Sequence, residues 1–126
     1  MFLNNLYSIE ETVRDKEAIR VKIRLNDNSQ IYEAHFPGNP ITPGACLVEI
    51  GRELSAIVLE KKFLLEKANH IKFLKGIHPN ITPAIDYLLY PEYLKDEEVW
   101  KVRIDVADGN EQMTKMILWL KEVTSV

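Results

Sequence analysis

His35-Phe36-Pro37-Gly38-Asn39-Pro40-Ile41-Thr42-Pro43-Gly44-Ala45-Cys46-Leu47-Val48-Glu49 is the stretch on which the fold of this chain turns. It holds three of the six prolines and two of the five glycines. Each proline fixes φ and removes a backbone donor, so neither a helix nor a central strand is expected before Pro43. Past Gly44 the pattern becomes helical. Cys46, Leu47, Ile50, Leu54, Ile57 and Val58 recur at three- and four-residue spacing, while Glu49, Arg52, Glu53 and Glu60 lie off that stripe or at its edge. The spacing predicts an amphipathic helix of about 18 residues, from Ala45 to near Lys61-Lys62, where cations suit the negative end of the helix dipole. A stiff loop therefore carries a titratable base, His35, and the helix after it carries a carboxylate, Glu49.

The flanks read as strands. Residues 5–13 are expected to be extended, and Glu17 to Leu25 alternates, with Ala18, Val21, Ile23 and Leu25 mostly on a two-residue period. Asn26 to Ser29 is a turn, since these side chains compete with backbone pairing, and Gln30 to Ala34 is expected to return briefly as a strand. After the helix come four extended runs, near 67–77, 83–93, 97–107 and 112–122, with Asp108-Gly109-Asn110 as a hairpin turn between the last two. One long helix among strands implies an α+β fold, an antiparallel sheet wrapped around a single central helix. Such a sheet leaves edges and apolar surface, for which dimerisation is the common remedy.

Composition bounds the function classes. The 126 residues are read as one domain, 1–126, with 46% apolar and 28% charged residues, an ordinary globular balance. A net charge of −3 argues against a nucleic-acid surface. The single cysteine, Cys46, allows no intrachain disulfide and fits a reducing compartment. It reads as a small buried helix residue, not a nucleophile. No apolar run approaches a membrane span, and Met-Phe-Leu-Asn-Asn-Leu-Tyr at the start lacks the form of a signal peptide, so a cytoplasmic protein is expected. No His, Cys, Asp or Glu set has zinc-like spacing, so no metal is expected. His70 and His78 have no partner at useful spacing and read as ordinary strand or loop residues.

The segment His-Phe-Pro-Gly-Asn-Pro-Ile-x-Pro-Gly, followed by Glu49, resembles the signature of the hotdog-fold 3-hydroxyacyl-[acyl-carrier-protein] dehydratases of type II fatty acid synthesis. The stretch from Asn69 to Pro79 is similar to the strand that follows the central helix there. Two positions depart from the usual pattern. Glu53 stands where the dehydratases commonly carry Gln, as in hotdog proteins of aryl-polyene and related pigment pathways. Pro79-Asn80-Ile81 stands where they commonly carry Pro-Gly-Asp. The resemblance implies a homodimer, or a trimer of dimers, whose sites combine a histidine from one protomer with an acid from the other. It implies an acyl carrier protein as partner and no cofactor bound by the protein itself.

The chemistry follows from the residue types. Dehydrating a β-hydroxyacyl thioester needs a base for the α-proton, an acid for the leaving hydroxyl, and donors for charge growing on the thioester oxygen. His35 suits the base, since an imidazole titrates near operating pH. Glu49 suits the acid, provided burial among Cys46, Leu47 and Ile50 raises its pKa. Backbone N–H groups at the helix start suit the third task, with Gly44 presenting no side chain to block a thioester. Phe36, Ile41 and Phe73 are expected to line an apolar acyl tunnel. Glu53, one turn beyond Glu49, either helps hold Glu49 protonated or points to solvent, or pairs with Arg52 or Lys62.

Other functions fit the same scaffold. An acyl thioesterase would use the acid to activate water, although the Pro-Gly-rich histidine loop argues against it. A non-catalytic acyl-binding or partner subunit is also compatible. Lys61, Lys62, Lys67, Lys72 and Lys75 form a loose basic cluster, either a solvated surface or a docking site for an acidic carrier.

Overall fold

The computed structural model describes residues 1–35 and 37–124. Six strands and two helices follow one another as β1 (Tyr7–Arg14), β2 (Ile19–Leu25), α1 (Gln30–His35), α2 (Gly44–Leu59), β3 (Phe63–Phe73), β4 (Ala84–Leu94), β5 (Val99–Asp108) and β6 (Glu111–Glu122). All strand pairs are antiparallel, in the order β1-β2-β4-β5-β6-β3, so β1 and β3 are the edges. This is the expected sheet around one long helix.

Alternation decides which face is core. Val21, Ile23, Ile85, Tyr87, Leu89, Val102, Ile104, Met116 and Leu118 all point inward and are almost fully buried. Cys46, Leu47, Ile50, Leu54 and Val58 of α2 meet them. The helix lies closest to the sheet at Gly51, where a Cβ would stand 2.9 Å from Ile104 Cδ1 and 3.2 Å from Leu118 Cδ1. Tyr87 fastens the same layer by donating its hydroxyl to the Leu47 carbonyl at 2.9 Å. The β5–β6 hairpin closes through Gly109 at φ +59°, a left-handed position where glycine carries no Cβ penalty.

Several expectations need correction. Gln30 to Ala34 is helical, not a strand. Buried Ser29 opens α1, its carbonyl accepting the Tyr32 amide at 3.2 Å, and local bonding of this kind wins over a short strand pattern. The long helix has 16 residues and stops at Leu59, ahead of the two lysines. Glu60 turns left-handed at φ +54°, and the Lys61 amide reaches back to the Ala56 carbonyl, a C-terminal closure that ends the helix. Strand β3 begins at Phe63, four residues before the expected run, and residues 74–77 lie beyond its end. Ile57 belongs to the exposed side of α2, not to its core stripe. Glu53 is in the core-facing set, only 1% exposed.

Candidate active site

The loop that follows His35 is built by local ties. Tyr32 and Thr42 share a hydrogen bond between hydroxyls at 3.0 Å. The Thr42 amide donates to the Ile77 carbonyl at 2.8 Å. His78 approaches the Pro40 carbonyl through Nδ1 at 2.9 Å, so that nitrogen carries the proton. Ile41 packs on Gly76, where a Cβ would sit 2.9 Å from Ile41 Cδ1. The loop between α1 and α2 is thus pinned along residues 76–78. His78 is a brace of this loop, which its sequence surroundings did not signal.

His35 is not carried by the stiff loop, as expected, but is the last residue of α1, just ahead of that loop, and is exposed. Glu49 lies in the second turn of α2, with its side chain 34% exposed. Among the described residues no hydrogen bond or ion pair joins the two within one chain. Glu49 is instead held by Arg52. Nε of Arg52 donates to both carboxylate oxygens, and Nη1 donates to the Phe63 carbonyl at 3.0 Å, bridging the helix to the start of edge strand β3. The i,i+3 spacing of Glu49 and Arg52 was visible in the sequence, and it is the signal by which Arg52 could have been found.

Gly44 is the first residue of α2, behind an extended Pro43 that supplies no side-chain cap. The amides of Cys46 and Leu47 both turn back to the Pro43 carbonyl. Among the described residues the Gly44 and Ala45 amides have no backbone partner, and the first turn holds no acid. The Phe73 ring lies on this helix start, its Cζ 2.5 Å from where a Gly44 Cβ would be, while remaining 55% exposed. Gly44 and Phe73 are thereby brought together, with Ile41 part of the adjacent loop. Phe36 lies outside the described residues. A cleft of about 380 Å³ runs along the exposed side of α2, lined by Met1, Arg52, Ala56, Ile57, Phe63 and the two lysines.

Contrary to two of the expectations, Glu53 neither points to solvent nor pairs with Arg52 or Lys62. Its carboxylate accepts the Phe2 amide at 2.8 Å, the Leu3 amide at 3.0 Å and the Tyr7 hydroxyl at 3.0 Å. It holds an N-terminal arm against the helix. Burial, then the Glu53 charge and hydrogen bond, push the Tyr7 phenol far above its ordinary range; the Glu49 charge adds to this and Arg52 opposes it. Burial also raises the Cys46 thiol, which disfavours its nucleophilic form. The basic cluster is redistributed as well, since Lys61 pairs with Glu122 and Lys75 with Glu111.

One long helix cradled by a six-stranded antiparallel sheet defines a hotdog-fold protein. The chain belongs to the ApeI-like family of ApeI dehydratases, whose sequence model matches residues 10–113. Its relatives include a 3-hydroxyacyl-[acyl-carrier-protein] dehydratase FabZ of Enterococcus faecalis, 33% identical over 43% of this chain and 38% of that protein. The FabZ of Oenococcus oeni is 27% identical over 82% of this chain and 78% of that one. The chain therefore spans well under half of the first relative and most of the second. Among solved structures, the dehydratase heterocomplex ApeI:P of Xenorhabdus doucetiae shares the fold with a TM-score of 0.65 at 14% identity, covering 90% of this chain and 96% of that one. A hypothetical thioesterase of Streptococcus pneumoniae, solved with coenzyme A, does so with a TM-score of 0.64 at 14% identity, covering 94% and 87%. No helix among the described residues is long and apolar enough to cross a membrane.

Proposed function

We propose that this protein removes water from a 3-hydroxyacyl thioester delivered by an acyl carrier protein, giving the trans-2-enoyl thioester, and that it does so as a homodimer or a trimer of dimers. The observation that carries this is the foot of α2, where two unpartnered amides open the helix that bears Glu49, directly after the braced loop that follows His35 at the end of α1. In this scheme the thioester oxygen accepts from the Gly44 amide as charge develops on it. His35 takes the α-proton, and Glu49 gives a proton to the departing β-hydroxyl. Ile41 and Phe73 stand where an acyl chain would enter.

Assembly is part of the proposal because His35 and Glu49 are not joined within one chain. The side of α2 carrying Ala45, Val48, Glu49, Arg52 and Ile57 is left uncovered by the sheet, and β3 is an open edge with Leu64 exposed. Pairing two copies along β3 would cover both features and set a histidine from one copy against an acid of the other.

Thioester hydrolysis is a second reading on one observation, the Arg52–Glu49 pair, since a carboxylate held by a guanidinium suits activation of water. Mass spectrometry of a 3-hydroxyacyl carrier protein after incubation separates the two. Loss of one water supports dehydration, and release of the acyl group supports hydrolysis. His35→Ala and Glu49→Gln should each slow dehydration by about 10²–10⁴-fold with the fold intact. Turnover near wild type in either variant would remove that residue from the mechanism.

A further inference from the structure

The face of the sheet turned away from α2 carries a cationic and aromatic surface. Trp119 of β6 stands in register with Lys67 of β3 on one side and Lys101 of β5 on the other. Both ammonium groups lie over its ring, at 4.7 Å and 5.4 Å from the centroid. In the next row Arg103 stacks on Tyr90 at 3.8 Å. Beyond it, Lys115 sits directly opposite Lys72. Like charges in register destabilise a strand pair, and nothing in the fold requires them there.

Acids lie on or beside this face too. Asp105, in register with Lys115, is paired with Arg103, and Asp86 is paired with Arg20. Glu92 is in register with Lys101 without an ion pair, and Glu66 and Glu97 line a cleft with Lys67, Trp119 and Lys121. Lys67, Lys72, Lys101 and Lys115 form no ion pair among the described residues. A chain of net charge −3 thus gathers unpaired cations on one side of one sheet. This replaces the cluster expected from the sequence, keeping Lys67 and Lys72 and exchanging the rest for residues of β5 and β6.

The surface ends at the candidate site. Lys72 points outward, and its neighbour Phe73, on the opposite side of the strand, lays its ring on Gly44 at the start of α2. A partner seated on the cationic rows would sit one strand edge from the helix amides.

We propose that the outer face of β3, β6 and β5, centred on Trp119 with Lys67, Lys101 and Lys115, docks the acidic surface of the carrier protein that delivers the thioester. This rests on the dehydratase reading for the identity of the carrier; charge complementarity argues for an acidic partner. Steering by such a face raises the encounter rate and lowers the apparent KM without touching chemistry, and it fades with salt.

The test uses the full chain and a triple variant, Lys67→Glu, Lys101→Glu and Lys115→Glu, checked for fold by circular dichroism. Two substrates are compared: a 3-hydroxyacyl carrier protein and the same acyl group on N-acetylcysteamine. The variant should show a KM about tenfold higher or more for the carrier substrate, with kcat little changed and the small thioester handled as by wild type. Binding of the carrier protein, followed by calorimetry at low and high salt, should weaken in parallel. An unchanged KM and unchanged binding would overturn the docking surface, as would equal losses on both substrates. Affinity for anionic lipid vesicles with none for the carrier would also overturn it. Absence of turnover on both substrates would instead remove the dehydratase reading, with the calorimetric comparison still deciding the surface.

Discussion

Tyr7 donates its hydroxyl to Oε1 of Glu53 at 3.0 Å, across 46 positions of sequence, and the same carboxylate accepts the amides of Phe2 and Leu3. A buried carboxylate with three donors and no cation is a structural clamp. Removing it strands all three donors, each at the cost of an unsatisfied buried group. Glu53→Ala should lower unfolding stability by about 3 kcal/mol. Glu53→Gln should cost about 1–2 kcal/mol, because its amide nitrogen must face at least one of the donors. Urea unfolding measures both. Faster hydrogen exchange at Phe2 and Leu3 would locate the loss in the arm. Unaltered stability in Glu53→Ala would show that the clamp contributes nothing.

Arg52 grips Glu49 through Nε and the start of β3 through Nη1. Under the dehydratase proposal it positions the acid without touching substrate. Arg52→Met should reduce kcat by about tenfold while KM and stability change little, since misplacing a catalytic group costs rate more than binding. Lysine cannot reproduce the forked contact, so Arg52→Lys should recover only part of the rate. Guanidinium added to Arg52→Met at low millimolar level should restore some turnover. A variant as fast as wild type would reduce the pair to a surface contact.

Alkaline pH should destabilise the fold through its buried phenols. Tyr7, Tyr32 and Tyr87 are each raised above the ordinary 10.0, in every case first by burial. Above about pH 10 the unfolded chain releases these protons while the folded chain keeps them, so stability must fall as pH rises. Below pH 10 the phenols are protonated in both states and contribute no slope. Thermal melts between pH 8 and about pH 11 should show the decline, and Tyr87→Phe should flatten it while losing its bond to Leu47. A Tm constant across that range would contradict the shifts.

Gly51 marks the closest approach of helix and sheet. Gly51→Ala gains helix propensity of about 1 kcal/mol but pushes a methyl group onto Ile104 and Leu118, and overpacking costs about 1–3 kcal/mol. The net expectation is a lower Tm, read by calorimetry. A higher Tm would mean that the two side chains yield freely.

Local pattern was enough for most of the framework. The helical stripe from Cys46 to Val58 and the alternation of Val102, Ile104 and Val106 each answer to one periodicity, and both appear in the fold. The stiffness of Pro37 to Pro43 is likewise a property of those residues alone. Register and partners are not. Whether Gln30 to Ala34 extends or coils depended on Ser29 being buried where its carbonyl could start a helical turn. The length of α2 depended on a left-handed Glu60 that no periodicity announces.

The site shows the same division. Sequence alone set an acid on the helix after the rigid loop and a glycine at that helix start, because spacing along one chain determines those relations; that His35 closes α1 instead of lying in the loop was decided by the fold. What each side chain meets was decided by tertiary structure. Glu49 and Glu53 are a single turn apart, yet one is gripped by Arg52 at the surface and the other closes on the N-terminal arm. Lys67 and Lys101 lie far apart in sequence and share one indole because β3 and β5 flank β6. A period tells which face a residue takes, but only the pairing of distant strands supplies its neighbours, and neighbours fix charge, burial and chemistry.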